Sequence, residues 1–273
     1  MQKMFPMLTA LVCASSLFSI VTTPAADAPL GYKDTPLIPG TPWHVHDPDR
    51  PRPHVVITAP TFSHNASAPS DAVALFDGKD LSKWRTDKGT DPTWKVENGY
   101  MEVAGKSGNI FTRDEFESFQ LHLEFATPTK VEGNSQGRGN SGIFIHGVFE
   151  VQVLDSYENP TYPDGQLGGL YGQTPPLANP AKKPGEWQCY DIIFAAPKFD
   201  TDGKLTQKAA VTVILNGVVL HHRREYTGNT PHKENGSYKD IKSSRGVIGL
   251  QDHGNPMRFR NIWIRPLGEY DKP

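Results

Sequence analysis

An all-β fold, a sandwich or jelly roll of short strands, is what this sequence predicts, and three observations carry the prediction. Apolar side chains recur at every second position in Phe119-Gln-Leu-His-Leu-Glu-Phe125 and in Phe149-Glu-Val-Gln-Val153, the period of a strand with one face against a core. Two Asn-Gly pairs, Asn98-Gly99 and Asn216-Gly217, stand between apolar runs, where a tight hairpin needs residues that accept positive φ. Beyond the N-terminal stretch no segment sustains a helical period, and 25 Gly with 24 Pro in 273 residues suit a chain rich in turns.

Residues 1–28 read as an export signal: Lys3, an apolar run from Met7 to Val21, then the small residues Ala26-Asp27-Ala28. The run is short for a membrane span, so the expectation is a periplasmic or secreted protein without stable membrane insertion. Leu11 and Val12 fit poorly as the approach to a lipid anchor at Cys13. Signal removal leaves Cys189 as the remaining cysteine, which excludes an internal disulfide. Within its strand pattern it reads as a small buried apolar residue.

Residues 29–71 are rich in Pro, His, Thr and Ser and read as an extended arm or linker. Trp43-His-Val-His-Asp47 holds two His at i, i+2. That spacing lacks a third metal ligand nearby, and docking of Trp43 on the domain is the simpler reading. The folded domain is expected over 72–268. Its strands are Ala72–Phe76, a hairpin about Asn98-Gly99, Asn109–Thr112 and Phe119–Phe125. After a polar loop follow Gly139–His146 and Phe149–Ser156, with Gly147 as a turn. An aperiodic stretch runs to about Pro184. Trp187–Phe194, a hairpin about Asn216-Gly217, Gly246–Leu250 and Met257–Arg265 complete the set. The last strand has apolar residues at both parities, which predicts burial on both faces.

A net charge of -2 offers no basic face for nucleic acid. No Ser-His-Asp signature, phosphate loop or Cys-rich zinc motif is present. The candidates are polar groups on one face. Glu150 and Gln152 alternate with Phe149, Val151 and Val153 and are expected on an open sheet face, with Gln120 and His122 sharing it. Glu150 suits a general base or a metal ligand, and Gln152 suits orientation of a hydroxyl. His146 ends the preceding strand, and His253 sits in a turn beside Asp252. Imidazole is well poised for proton transfer near neutral pH. Arg258 and Arg260 could bind oxyanions. The aperiodic stretch carries Tyr157, Tyr162, Tyr171 and Gln173. Aromatic loops beside a polar face are what a sugar cleft requires.

Three rival functions use the same features: a carbohydrate-binding module without catalysis, a structural surface domain, and a retaining glycosidase. The last needs two carboxylates on one face. Gln152 stands where the second would be, and Asp155 is odd-spaced from Glu150.

Leu75-Phe-Asp-Gly-Lys-Asp-Leu-Ser-Lys-Trp84, Gly139-Asn-Ser-Gly-Ile-Phe144, Phe149-Glu-Val-Gln-Val-Leu-Asp-Ser156 and Gly185-Glu-Trp-Gln188 form an ordered set. Asn216-Gly217, Leu250-Gln-Asp-His-Gly-Asn255 and Arg258-Phe-Arg-Asn-Ile-Trp263 extend it. Together they resemble the bacterial 3-keto-disaccharide hydrolase family across 72–268, and the arm from Tyr32 to Asp47 resembles one branch of it. His146 is a departure, at a position where the family often has Arg. The resemblance implies a concanavalin A-like lectin/glucanase sandwich and secreted enzymes acting on oxidised sugars. It implies that Glu150 with His146 or His253 divides the base and metal-ligand roles. Gln152 and Gln251 would orient hydroxyls, and Tyr171 would line the sugar site. The enediolate of that chemistry calls for a divalent cation or for His and Arg donors.

Overall fold

The computed structural model describes residues 30–268; the expected export signal lies outside the described residues. Thirteen strands build the sandwich: β1 (Val73–Phe76), β2 (Trp84–Thr86), β3 (Lys95–Glu97), β4 (Tyr100–Glu102), β5 (Ile110–Thr112), β6 (Phe119–Ala126), β7 (Asn140–Ile145), β8 (Phe149–Leu154), β9 (Gln188–Ala195), β10 (Ala210–Leu215), β11 (Val218–Glu225), β12 (Ile248–Leu250) and β13 (Arg258–Pro266). The larger sheet runs β11-β10-β9-β6-β13-β4-β3, with β1 also paired to β13. The smaller runs β2-β5-β12-β7-β8. Among the described residues the helical elements are two three-residue 3₁₀ turns, and no helix is long and apolar enough to cross a membrane.

The core forms where the alternating strands of both sheets turn their apolar parity inward. Phe119, Leu121, Leu123 and Phe125 of β6 meet Tyr190, Ile192 and Phe194 of β9 on one side. Ile143 and Ile145 of β7 face Val151 and Phe149 across their shared ladder. All of these side chains are buried, each contributing roughly 1.5–3 kcal/mol through removal from water. Both Asn-Gly pairs form the expected turns, with positive φ at Asn98, Gly99, Asn216 and Gly217. Cys189 is a buried free cysteine, as its strand pattern implied.

The mixed parity of the closing strand has a local cause. β13 carries a bulge between Arg260 and Trp263, with Asn261 at φ 47°. The extra residue reverses which parity points inward. Phe259 precedes the reversal, Ile262 and Ile264 follow it, and all three enter the core.

The alternation of β6 assigned a face but not a sheet. Gln120 and His122 therefore do not share the surface of Glu150, contrary to the expectation: both stand on the outer face of the larger sheet. His122 and its neighbour Glu124 lie there under residues 62–66. There His122 Nδ1 pairs with Asp191 at 2.8 Å, and Glu124 accepts from Arg260 at 2.8 Å and Asn261 at 2.9 Å. The Asn65 backbone N–H also donates to Glu124, and Trp263 stacks on His122 at 5.1 Å. Burial alone would raise the Glu124 carboxyl. The His122 ring and the donors of Asn261, Asn65 and Arg260 outweigh it and hold the group at about 2.

Candidate active site

The outer face of the smaller sheet is the floor of a cleft of about 480 Å³, within the ~300–1,000 Å³ of small-ligand sites. The ladder pairing Phe144 with Glu150 and Gly142 with Gln152 brings these residues onto that floor. Gly142 has a specific task. A Cβ built there would stand 2.2 Å from Glu150 Oε1, so the carboxyl occupies the space that a larger residue would fill.

The expected open face is covered. Glu150 is 5% exposed and Gln152 1%, because residues 157–173 fold back along the β8 edge. Gln152 N–H donates to Gly169 O at 3.0 Å, and Gly168 and Tyr171 N–H groups donate to Gln152 O and Glu150 O. The aperiodic stretch is thus ordered by the free backbone edge of β8 and walls the cleft with Tyr162 and Tyr171. A second loop adds Thr230 and His232: Thr230 Oγ1 accepts from the Glu150 backbone N–H at 3.0 Å and donates to Val148 O at 3.1 Å. The turn after β12 adds Gln251 and His253. Ser141 Oγ donates to Gln251 O at 2.7 Å, and Gly254 N–H closes onto Asp252 Oδ1 at 2.8 Å, leaving His253 exposed at the tip.

Electrostatically the cleft is simple. Glu150 is the acidic side chain among its lining residues; the rest are aromatic, amide, hydroxyl or imidazole. Its carboxyl has no ion-pair partner among the described residues, and burial pushes it up to about 8. Tyr162 Oη, Tyr171 Oη and His232 Nδ1 form a chain of hydrogen bonds at 3.0 and 3.1 Å. Burial, then the neighbouring His46 and Lys233, lowers the His232 imidazole. Asn140 Oδ1, also at the cleft, is buried without a partner.

Of the residues expected from the sequence, Glu150, Gln152, Tyr171, Gln251 and His253 come together here. Gln152 is largely committed within the protein, its Nε2 donating to Gln136 Oε1 at 2.9 Å and Gly165 O at 3.2 Å. His146 stays apart. Alternation would set it beside Phe144 and Glu150, but it adopts φ 53° in the β7–β8 turn. Its ring packs at 4.8 Å on Phe194, and Nε2 pairs with Glu117 O at 2.9 Å. Burial lowers its pKa, and it holds the turn rather than the cleft. Gln173 is also outside the lining: its amide donates to Gly228 O and Asn229 O and accepts from Thr227 N–H, which staples the second loop. Arg258 lies on the outer face of the larger sheet, stacked near Tyr100 and Trp187 at 5.5 and 5.6 Å.

Sequence reading missed Tyr32, Gln136, Asn140, Thr230 and His232. The loop residues among them carry no periodic signal: Thr230 bonds to the Glu150 backbone, Gln136 to the Gln152 side chain, and Tyr32 arrives on a segment docked against Asp164 and Tyr162. A divalent cation would find one carboxylate here, with neutral donors from Asn140, Gln251 and His253. Among the described residues no group of three or more His, Cys, Asp or Glu converges. That donor set does not form a protein cage of the kind that binds a divalent ion alone.

Comparisons with known proteins agree with this architecture. A curated 3-keto-disaccharide hydrolase from Bacteroides thetaiotaomicron is 25% identical over 257 residues, covering 71% of this chain and 78% of that protein. A solved structure from Parabacteroides distasonis, assigned provisionally to the glycosyl hydrolases, is 48% identical with a TM-score of 0.72, covering 80% of this chain and 93% of its own. A second from that organism, with the same provisional assignment, is 26% identical with a TM-score of 0.54, covering 72% and 99%. The model of the 3-keto-alpha-glucoside-1,2-lyase-like domain matches residues 71–265, both sheets and the whole floor of the cleft included, and the chain belongs to that family.

Proposed function

We propose that the cleft binds a 3-keto-glycoside and cleaves its glycosidic bond by elimination followed by addition of water, with Glu150 as the base at C2. The protein is a glycoside-cleaving hydrolase by family; the oxidised substrate and the route are the proposal. One observation carries it: a single buried carboxyl, raised to about 8, in a cleft otherwise lined by neutral donors and aromatic rings. Ordinary glycoside hydrolysis calls on a pair of carboxylates. Asp155 is bound to Arg138 at 2.8 Å, and Asp164 is buried against His46. A lone base suits a substrate that carries its own activation, and a C3 ketone provides it by acidifying the C2 proton.

In the first step the Glu150 carboxylate takes the C2 proton, and the C–H electron pair becomes an enolate with its charge on O3. The enolate collapses, the C1–O bond breaks and the leaving oxygen takes a proton, leaving a C1–C2 double bond conjugated to the ketone. Water then adds at C1, and the proton returns to C2. The first half is a lyase reaction and the whole is a hydrolysis. The developing O3 charge needs donors already in place. His232 fits this task as a neutral imidazole: if Tyr171 Oη donates to Nδ1, Nε2–H is left for the substrate. His253, exposed at the turn, is positioned to exchange a proton with the leaving group or the incoming water.

The N-terminal export pattern supports a periplasmic or secreted location. The purified mature protein should release the aglycone from a 3-keto-glucoside but not from the corresponding glucoside. In D₂O the C2 position of recovered product should carry deuterium. The same assay with a chelator reports whether a divalent cation assists. Binding of glycans without release from any of several 3-keto-glycosides would move the assignment to a carbohydrate-binding module.

A further inference from the structure

The family match begins at residue 71, yet Tyr32 lines the same cleft as Glu150. The arm that carries it is a built element. Ile38 N–H donates to Trp43 O and Val45 N–H to Pro36 O, both at 2.9 Å, closing a hairpin whose Ile38 and Val45 are buried. Lys33 Nζ pairs with Asp47 at 2.6 Å. His46 is fully buried and adopts φ 61°. Its backbone N–H and ring Nδ1 both meet the buried Asp164 carboxylate, at 2.9 and 3.1 Å. Its ring lies 4.2 Å from Tyr162 and 4.7 Å from Tyr171.

Two features are costly for a mere linker. A non-glycine residue is held at positive φ, and His46 Nε2 is buried with no hydrogen-bond partner. Both persist only where surrounding contacts fix the residue. Tyr32 is the outer layer of the same wall. It lies beyond Tyr162 at 6.1 Å and edge-on to His232 at 5.9 Å, with Lys233 Nζ 3.6 Å over its ring. Tyr171, by contrast, is bonded through its backbone to the Glu150 strand. The wall therefore has depth: one layer beside the base and one farther out.

We propose that the arm is part of the active site. Tyr32 is a specificity-determining face for a second sugar ring, and His46 is a positioning residue that fixes Tyr162 and Tyr171. This rests on the reading of the cleft as a 3-keto-glycoside site, with the keto ring over Glu150 and the second ring against Tyr32 of the arm.

The test uses the full mature chain and two substrates, a 3-keto-disaccharide of glucose and methyl 3-keto-glucoside. Tyr32→Ala is expected to lower kcat/KM about tenfold on the disaccharide, mainly through KM, and to change the methyl glycoside less than about twofold. Tyr32→Phe, which keeps the ring, should retain the preference. His46→Ala should lower kcat on both substrates, and His46→Asn, which keeps a donor for Asp164, should recover most of it. Equal loss on both substrates for Tyr32→Ala, or no loss on either, overturns the role of Tyr32. An unchanged kcat in a folded His46→Ala protein overturns the role of His46. A wild-type protein inactive on both substrates overturns the 3-keto-glycoside reading and this inference together.

Discussion

The carboxyl of Glu150 sits between a glycine that makes room for it and a loop threonine that fixes its backbone. Burial without a counter-charge raises its pKa to about 8, so near neutral pH it is a strong base present mostly as its conjugate acid. Glu150→Gln keeps the shape and removes the base. Turnover of a 3-keto-glucoside is expected to fall about 10²–10⁴-fold, and a variant that keeps most of its rate would remove Glu150 from the chemistry. The pH profile follows from the same group. The base must be ionised in the free enzyme, so log kcat/KM should rise with unit slope up to about pH 8 and level off above it. A profile flat from pH 5 to 9 would point to another base. Glu150 was legible in the sequence because strict alternation isolates it from the apolar parity of β8. His146 was not, because the sign of φ at a turn residue decides where its ring goes, and here φ 53° sends it toward Phe194. Arg258 misled for a related reason: charge and aromatic neighbours can be read from a sequence, but not which sheet carries them.

The β7–β8 hairpin is the element through which the fold reaches the chemistry. Its register pairs Gly142 with Gln152 and Phe144 with Glu150, and a strand slip by one residue would bury the carboxyl in the core. Gly142→Ala therefore tests the element without substituting Glu150. Its Cβ would stand 2.2 Å from Oε1, which forces the carboxyl aside. Activity should fall toward that of Glu150→Gln, with a stability loss of about 1–3 kcal/mol from overpacking. Wild-type kcat in a Gly142→Ala protein would mean that the carboxyl need not occupy that space. The hairpins and most strands were legible, since period and turn residues are local signals. The covering of the floor was not. Residues 157–173 have no period because they complete a strand edge that already exists, and Asn261 reverses parity within β13 by a single positive φ. Thr230 and His232 come to the site on a loop that Gln173 staples and that Thr230 ties to the start of β8.

Across the whole molecule the two sheets hold buried carboxyls of opposite behaviour. Glu124, under residues 62–66 on the larger sheet, is held at about 2, while Glu150 on the smaller is raised to about 8. The signs of their linkage to stability are opposite. For Glu124 the folded state binds the proton less tightly than the unfolded chain. Its contribution is present above the ordinary value of 4.5 and is lost as pH falls toward 2. For Glu150 the folded state binds the proton more tightly. Its contribution is complete below 4.5 and declines as pH rises through about 8. Glu124→Gln removes the charge that Arg260, Asn261 and the Asn65 backbone N–H address, and should cost about 1.5–3 kcal/mol near pH 7, with the gap closing toward pH 2. Glu150→Gln should do the reverse: similar to wild type at pH 5, and more stable at pH 9 by on the order of several kcal/mol. Denaturant melts of the three proteins at pH 3, 5, 7 and 9 would separate the two effects. A Glu150→Gln protein that tracks wild type across the whole range would mean that the carboxyl is solvated or paired in the folded protein. The account of the cleft as a site built around a single buried, unpaired base would then fail with it.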